Sequence, residues 1–285
     1  MPTSPSNRSL GELAAKPAYR NIDGVQVRFV ESEARRGSHA LLLSPWPESI
    51  LAYEPVWQRL AQDTHLVAID LPGFGRSEAR ERLMSPQAMG DFIIRAADAF
   101  GLEQPHVVGP DIGTAASLFA AARHPGRLRS LAIGVGGAAV PLQLGEPLHE
   151  WVHSTDLGPY RQIGGRAIVE RVIQTLERYQ ISEAARHDYL ASYEGDRFAE
   201  SLRYVQKYPK ELPVLRDLLS QIQTPVLIVA GREDKVVPPV NAEFLHERLP
   251  RSQLALLDAG HFIWEDDADQ YAARVIAWWK DGHKA

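Results

Sequence analysis

Asp111 stands in Gly109-Pro110-Asp111-Ile112-Gly113, between an apolar run and an alanine-rich segment. Small residues around a central side chain permit a tight strand-to-helix turn that pushes it up and out. An aspartate presented there needs no base to become a nucleophile, because at its ordinary pKa of ~3.9 it is ionised at neutral pH. The helix that follows would begin with free backbone N–H groups, that of Ile112 among them. The plainer alternative is a helix N-cap, for which Asp is a preferred residue. Two further groups favour chemistry. Asp234 lies in GREDKVVPP, directly after the apolar run PVLIVAG, and His261 lies in DAGHFIWED, after SQLALL. His261 is one of 10 histidines and is singled out by its position, not its type. An acid that orients a histidine, beside a nucleophile, is a constellation that activates water or a hydroxyl.

These groups need strands that end at one edge of a sheet. Short apolar runs alternating with helix-patterned segments predict βαβ units around a mainly parallel sheet. VQVRFVES alternates and reads as an early antiparallel strand. HALLLS (39–44), HLVAID (65–70), HVVG (106–109), LRSLAIGV (128–135) and PVLIVAG (225–231) read as buried strands. Helical patterns fall at 56–62, 86–100, 113–123, 240–249 and 266–279. Ligands in such sheets gather at the carboxyl ends of the strands. From 139 to 220 the strand rhythm stops and tyrosine-rich helical patterns take over, as in VERVIQTLERYQ. The expected organisation is a loose arm over 1–18, a core over 19–138 and 221–285, and a helical cap over 139–220.

Composition narrows the class. The 285 residues are 45% hydrophobic and 24% charged, with a net charge of −5. No basic run marks a nucleic-acid surface. The absence of cysteine removes disulfides, thiolate metal sites and a cysteine nucleophile. The first residues lack the apolar core of a signal peptide, and no run is long enough to span a bilayer. The expectation is a cytoplasmic monomer or homodimer without metal or cofactor, acting on a small apolar substrate.

LLLSPWPES (41–49) supplies a candidate oxyanion loop. Its plain reading is a proline-rich turn in which most X–Pro bonds are trans, though Trp46-Pro47 is a candidate cis bond. Its functional reading sets the backbone N–H of Trp46 opposite that of Ile112.

Taken together, these segments resemble the α/β-hydrolase fold, and specifically its aspartate-nucleophile branch of epoxide hydrolases and haloalkane dehalogenases. The match runs through LLLSPWPES, AIDLPGFGRSE (68–78), GPDIG, GREDKVVP and DAGHFIWED. The order of nucleophile, acid and histidine agrees with that fold's motif. The family's usual His-Gly in the oxyanion loop is Ser44-Pro45 here. Proline removes its own N–H, not that of Trp46, so the proposed donor survives. The resemblance implies a mostly parallel eight-stranded sheet flanked by helices, with an inserted helical cap.

It also implies a mechanism. Asp111 would attack a carbon bearing an epoxide oxygen or a halide, and His261, oriented by Asp234, would drive water onto the resulting ester. Family epoxide hydrolases protonate the leaving oxygen with two cap tyrosines; Tyr204 and Tyr160 are the candidates. Family dehalogenases commonly place Trp after the nucleophile, where this chain has Ile112, so epoxide opening ranks first. Trp46 or Trp151 would have to hold a halide. Trp46, Trp151, Tyr208 and Phe262 are the expected pocket walls. A binding or non-hydrolytic protein on the same fold remains the alternative of another class.

Overall fold

The structure is a computed structural model and describes residues 16–33 and 37–280. Eight strands are formed: β1 (Ala18–Ile22), β2 (Val25–Glu31), β3 (Ser38–Leu43), β4 (Thr64–Ile69), β5 (His106–Pro110), β6 (Ser130–Gly134), β7 (Val226–Gly231) and β8 (Ser252–Leu257). They make one sheet in the order β1-β2-β4-β3-β5-β6-β7-β8. β1 and β2 are antiparallel to each other, β2 is antiparallel to β4, and the rest run parallel. Every residue of β4 to β7 is buried, as a parallel sheet covered on both faces requires. The expected eight-stranded α/β-hydrolase architecture is therefore present.

β1 was not expected as a strand, since only 1–18 and a core beginning at 19 were distinguished there. Most of that arm lies outside the described residues. β1 pairs with β2 through Asp23 and Gly24, both at positive φ (53° and 76°). A two-residue turn with both φ positive suits the twist of a hairpin, and Asp-Gly is its characteristic sequence.

Helices α1 (Glu54–Leu60), α2 (Pro86–Ala99), α3 (Ile112–Arg123), α10 (Val240–Arg248) and α12 (Ala268–Lys280) flank the sheet. The Ser85 hydroxyl caps α2 by accepting the Ala88 N–H, with Pro86 at the first helical position. The expected terminal helix is α12, preceded by a short α11 (Ile263–Asp266) that the pattern did not foretell. Between β6 and β7 lie α4 (Leu148–His153), α5 (Gly158–Ile163), α6 (Gly165–Ile173), α7 (Glu183–Ser192), α8 (Arg197–Val205) and α9 (Tyr208–Leu218). Among the described residues no helix is long and apolar enough to cross a membrane.

Buried polar bonds hold this helical insertion on the sheet. Asp188 of α7 accepts from Arg28 Nη1 of β2 at 2.7 Å and from Ser49 Oγ at 2.6 Å. Arg28 also reaches Asp70, whose carboxylate accepts the Ile50 and Arg76 N–H groups. Gly75 lies so close to Asp70 that a Cβ would sit 2.2 Å from its carboxyl carbon. The glycine of the AIDLPGFGRSE stretch is thus a steric requirement. On the other side, Asp266 accepts the N–H groups of Glu177, Arg178 and Tyr179, fixing the chain between α6 and α7.

Candidate active site

Asp111 lies between the end of β5 and the start of α3, with φ 51° and ψ −121°. A non-glycine residue in that region stores on the order of 1–3 kcal/mol of strain, which the surrounding structure must hold. The hold is visible. The Asp111 N–H donates to Gly134 O at 2.9 Å, and Thr114 Oγ1 donates to the same oxygen at 2.8 Å. At Gly109 a Cβ would lie 2.5 Å from Ser117 Oγ, so only glycine lets α3 leave the strand this closely. The Asp111 side chain caps no N–H of α3 in the usual N-cap manner.

Its carboxylate instead faces two elements. Oδ2 accepts the Trp46 N–H at 2.7 Å, and the Ile112 N–H also donates to the carboxylate. Both expected oxyanion donors therefore converge on Asp111, despite Ser44-Pro45 in place of His-Gly. The Trp46-Pro47 bond is cis. Asp234, after β7, accepts the Val236 and Val237 N–H groups on Oδ1 and contacts His261 Nδ1 with Oδ2 at 2.8 Å. A carboxylate only accepts, so His261 donates from Nδ1, and in its neutral form the lone pair is on Nε2.

Burial raises the Asp111 pKa to about 6, against the opposing pull of His261 and the two N–H groups. At neutral pH the nucleophile is still ionised. For His261, burial disfavours the imidazolium, but Asp234 beside it and Asp111 opposite outweigh this and leave its pKa raised. Esterifying Asp111 would remove one of those charges and ease His261 toward its neutral, basic form.

The Asp111 shift has a consequence for stability. The unfolded carboxyl releases its proton near ~3.9, whereas the folded one holds it until about 6. Folding is therefore progressively penalised as pH rises through that window, and the penalty is constant above it. Two pH units at ~1.4 kcal/mol each correspond to ~3 kcal/mol. Asp111→Asn should stabilise the protein at pH 7 more than at pH 4, by up to that amount, as measured by denaturant unfolding at both values. Equal effects at the two pH values would contradict the assignment.

A cavity of about 490 Å³ opens above these groups, lined by Asp111, His261, Trp46, Trp151, Tyr160 and Phe262 among others. That volume suits a small organic molecule. The Trp46 ring stacks on Phe198 at 5.3 Å and meets Trp151 edge-on at 5.2 Å. Its Nε1–H donates to Ser201 Oγ and is not available to a substrate. Trp151 lines the cavity beside it. Tyr160 lines the cavity, and its hydroxyl donates to Glu150 at 2.7 Å.

Two expected residues stand near Asp111 without lining the cavity. Tyr204 is fully buried against Phe74, and its hydroxyl donates to the Ile112 carbonyl at 2.8 Å. It braces the first turn of α3 from below and does not line the cavity. Tyr208 packs on Tyr204 and over Gly137, and it too is absent from the walls. Sequence reading missed Leu148, Ile168 and Val172, which line the cavity, because helix periodicity does not tell which face of a short helix meets substrate. Among the described residues no group of three or more His, Cys, Asp or Glu side chains could hold a metal ion.

An eight-stranded sheet carrying acid, histidine and candidate nucleophile at its carboxyl edge has the plan of an α/β hydrolase. The chain belongs to the alpha/beta hydrolase family, whose model matches residues 39–274, and it is a hydrolase. RutD of Caulobacter sp. (strain K31), provisionally named a carbamate hydrolase, is 31% identical over 240 residues, 79% of this chain and 84% of that protein. The 2-hydroxymuconate semialdehyde hydrolase of Pseudomonas putida is 28% identical over 227 residues, covering 76% and 77%. Among solved structures, the haloalkane dehalogenase DatA from Agrobacterium tumefaciens C58 superposes with a TM-score of 0.78 over 94% of this chain and 97% of that one. At 17% identity this likeness concerns the fold alone.

Proposed function

We propose that the protein hydrolyses a small apolar electrophile through a covalent ester on Asp111, opening an epoxide to a diol. One observation supports this above all: the Asp111 carboxylate is held by the Trp46 and Ile112 N–H groups on the cavity side where the His261–Asp234 pair stands. Asp111 Oδ1 attacks the carbon, a C–O bond forms, and the C–O bond of the epoxide breaks. The epoxide oxygen leaves as an alkoxide and takes a proton. Oδ2 becomes the ester carbonyl, already held by the Trp46 N–H, with that of Ile112 beside the same carboxyl. His261 Nε2 then takes a proton from water, whose oxygen adds to the Asp111 carbonyl carbon. The tetrahedral oxyanion is stabilised by Trp46 and Ile112, each such donor being worth ~10²–10³ in rate. Collapse passes the hydroxyl proton to the departing diol oxygen and restores the carboxylate, and the proton on His261 returns to the group that protonated the epoxide oxygen. A pure binding role would not use this arrangement of acid and histidine.

Tyr160 is the phenol in the cavity wall and donates to the leaving oxygen once its hydroxyl turns from Glu150. Burial and Glu150 raise its pKa, so it holds its proton at neutral pH. Tyr204 would have to leave the Ile112 carbonyl to assist. A second reading, carbon–halogen hydrolysis, is favoured by one observation, the Trp151 indole in the cavity wall, whose N–H is the donor on offer. A halide leaves as an anion and needs such a donor, not a proton.

Epoxide and haloalkane panels on wild type, Tyr160→Phe and Trp151→Phe separate the two. The epoxide reading expects turnover to fall ~10²-fold or more in Tyr160→Phe, the ordinary worth of a general acid. Wild-type halide release without epoxide turnover, lost in Trp151→Phe and kept in Tyr160→Phe, would reverse the order.

A further inference from the structure

Two buried carboxyls beside the site have no part in the steps above. Glu48 lies two residues after Trp46 and is 0% exposed; Glu265 lies four residues after His261 and is 3% exposed. Their carboxyls are buried neighbours, each perturbing the other's titration. Neither Glu48 oxygen receives an N–H or O–H from any other described residue, and Glu265 Oε2 is alike. Glu265 Oε1 accepts the Tyr189 hydroxyl of α7 at 3.1 Å. The Trp264 indole borders the pair, edge-on to the His261 ring at 6.2 Å. Among the described residues the charged groups that act most on the pair are acidic: Asp111 toward Glu48, and Asp266 and Glu54 toward Glu265. The phenols around it, Tyr53, Tyr179 and Tyr189, are all held protonated by burial.

Two buried carboxylates in contact, with no cationic side chain beside them, cannot both be ionised. With one proton between them the repulsion becomes a charge-assisted O–H···O⁻ bond, among the stronger hydrogen bonds in proteins. We infer that Glu48 and Glu265 share a single proton, Glu48 donating to a carboxylate on Glu265, and that this bond clamps the Trp46 loop to the His261 turn. The inference rests on Trp46 and His261 acting as proposed. The clamp joins the segments that carry the oxyanion donor and the base, and Tyr189 adds the helical insertion as a third member. Glu48 and Glu265 are positioning residues and touch no reacting atom. Burial, then the neighbouring Glu265, push the Glu48 carboxyl well above the usual range, while burial brings Glu265 to about 7.

The test compares wild type, Glu48→Gln and Glu48→Leu at pH 8, where Asp70 and Asp111, each with a pKa of about 6, are ionised. Infrared difference spectra of the resting protein should show a protonated carboxyl in wild type that Glu48→Gln lacks. Glutamine keeps an N–H donor toward Glu265 and leucine does not. Glu48→Leu should therefore lower kcat roughly ten-fold, the scale of a lost buried hydrogen bond, with KM little changed, and Glu48→Gln should recover most of it. Thermal unfolding gives a readout independent of turnover. Unfolded Glu48 ionises above ~4.3 while the folded group keeps its proton, so wild type loses stability from pH 5 to pH 8 relative to Glu48→Gln. Absence of the carboxyl band, or equal behaviour of the Gln and Leu variants in kcat, would overturn the clamp. Failure of the Asp111 reading would appear separately, as a wild type that never carries an ester.

Discussion

His261→Gln should leave the protein able to react once and then hold the product of that reaction as a covalent adduct. Attack by Asp111 needs only an ionised carboxylate. His261 helps to hold its pKa down to about 6, so the variant is mixed with substrate at alkaline pH, where the carboxylate is ionised without that help. Breakdown of the ester needs a base for water, and glutamine offers none. Losing a positioned general base costs typically 10²–10⁴ in rate, so the second step slows by that factor while the first persists. Intact-protein mass spectrometry after mixing with substrate reads the result directly, as one added substrate mass per chain. An unmodified chain, or turnover at the wild-type rate, would count against His261 as the base.

Asp234→Asn should slow the same step by ~10⁴, the scale seen when an orienting aspartate becomes an amide. The geometry gives the reason. Asp234 Oδ1 already accepts two backbone N–H groups, from Val236 and Val237. The amide oxygen of asparagine must take that place, which turns its NH₂ toward His261 Nδ1. Two donors cannot face each other, so the imidazole proton moves to Nε2 and the lone pair meant for water is lost. Adduct formation should proceed near the wild-type rate, with slow decay, in a quenched time course. Equal loss of both steps would show that Asp234 does something other than select the tautomer.

Local pattern made the sheet legible, because β4 to β7 are continuous apolar runs of strand length bounded by turn residues. β1 escaped because AYRNI is mostly exposed on an edge and carries no apolar alternation. Its Asp23-Gly24 turn was the available signal. Asp111, Asp234 and His261 were readable since each follows a strand, and chain order alone places all three at one edge. Tyr204 was readable as a helical tyrosine but not as a brace under Ile112, since the rotation of α8 over α3 is a tertiary fact. The same holds for Tyr208. Glu48 and Glu265 each sit in acidic, surface-like strings, PES and WEDD, and nothing local foretells that they meet in the interior.

The covalent ester on Asp111 is tested most directly by a single turnover in ¹⁸O water, with excess protein, followed by mass spectrometry of the peptide that contains Asp111. Water adds to the Asp111 carbonyl carbon in the proposed route, so one ¹⁸O should remain in that side chain while the first-turnover product carries unlabelled oxygen from the protein. Label in the product with none in Asp111 would mean that water attacks the substrate itself and that no ester forms.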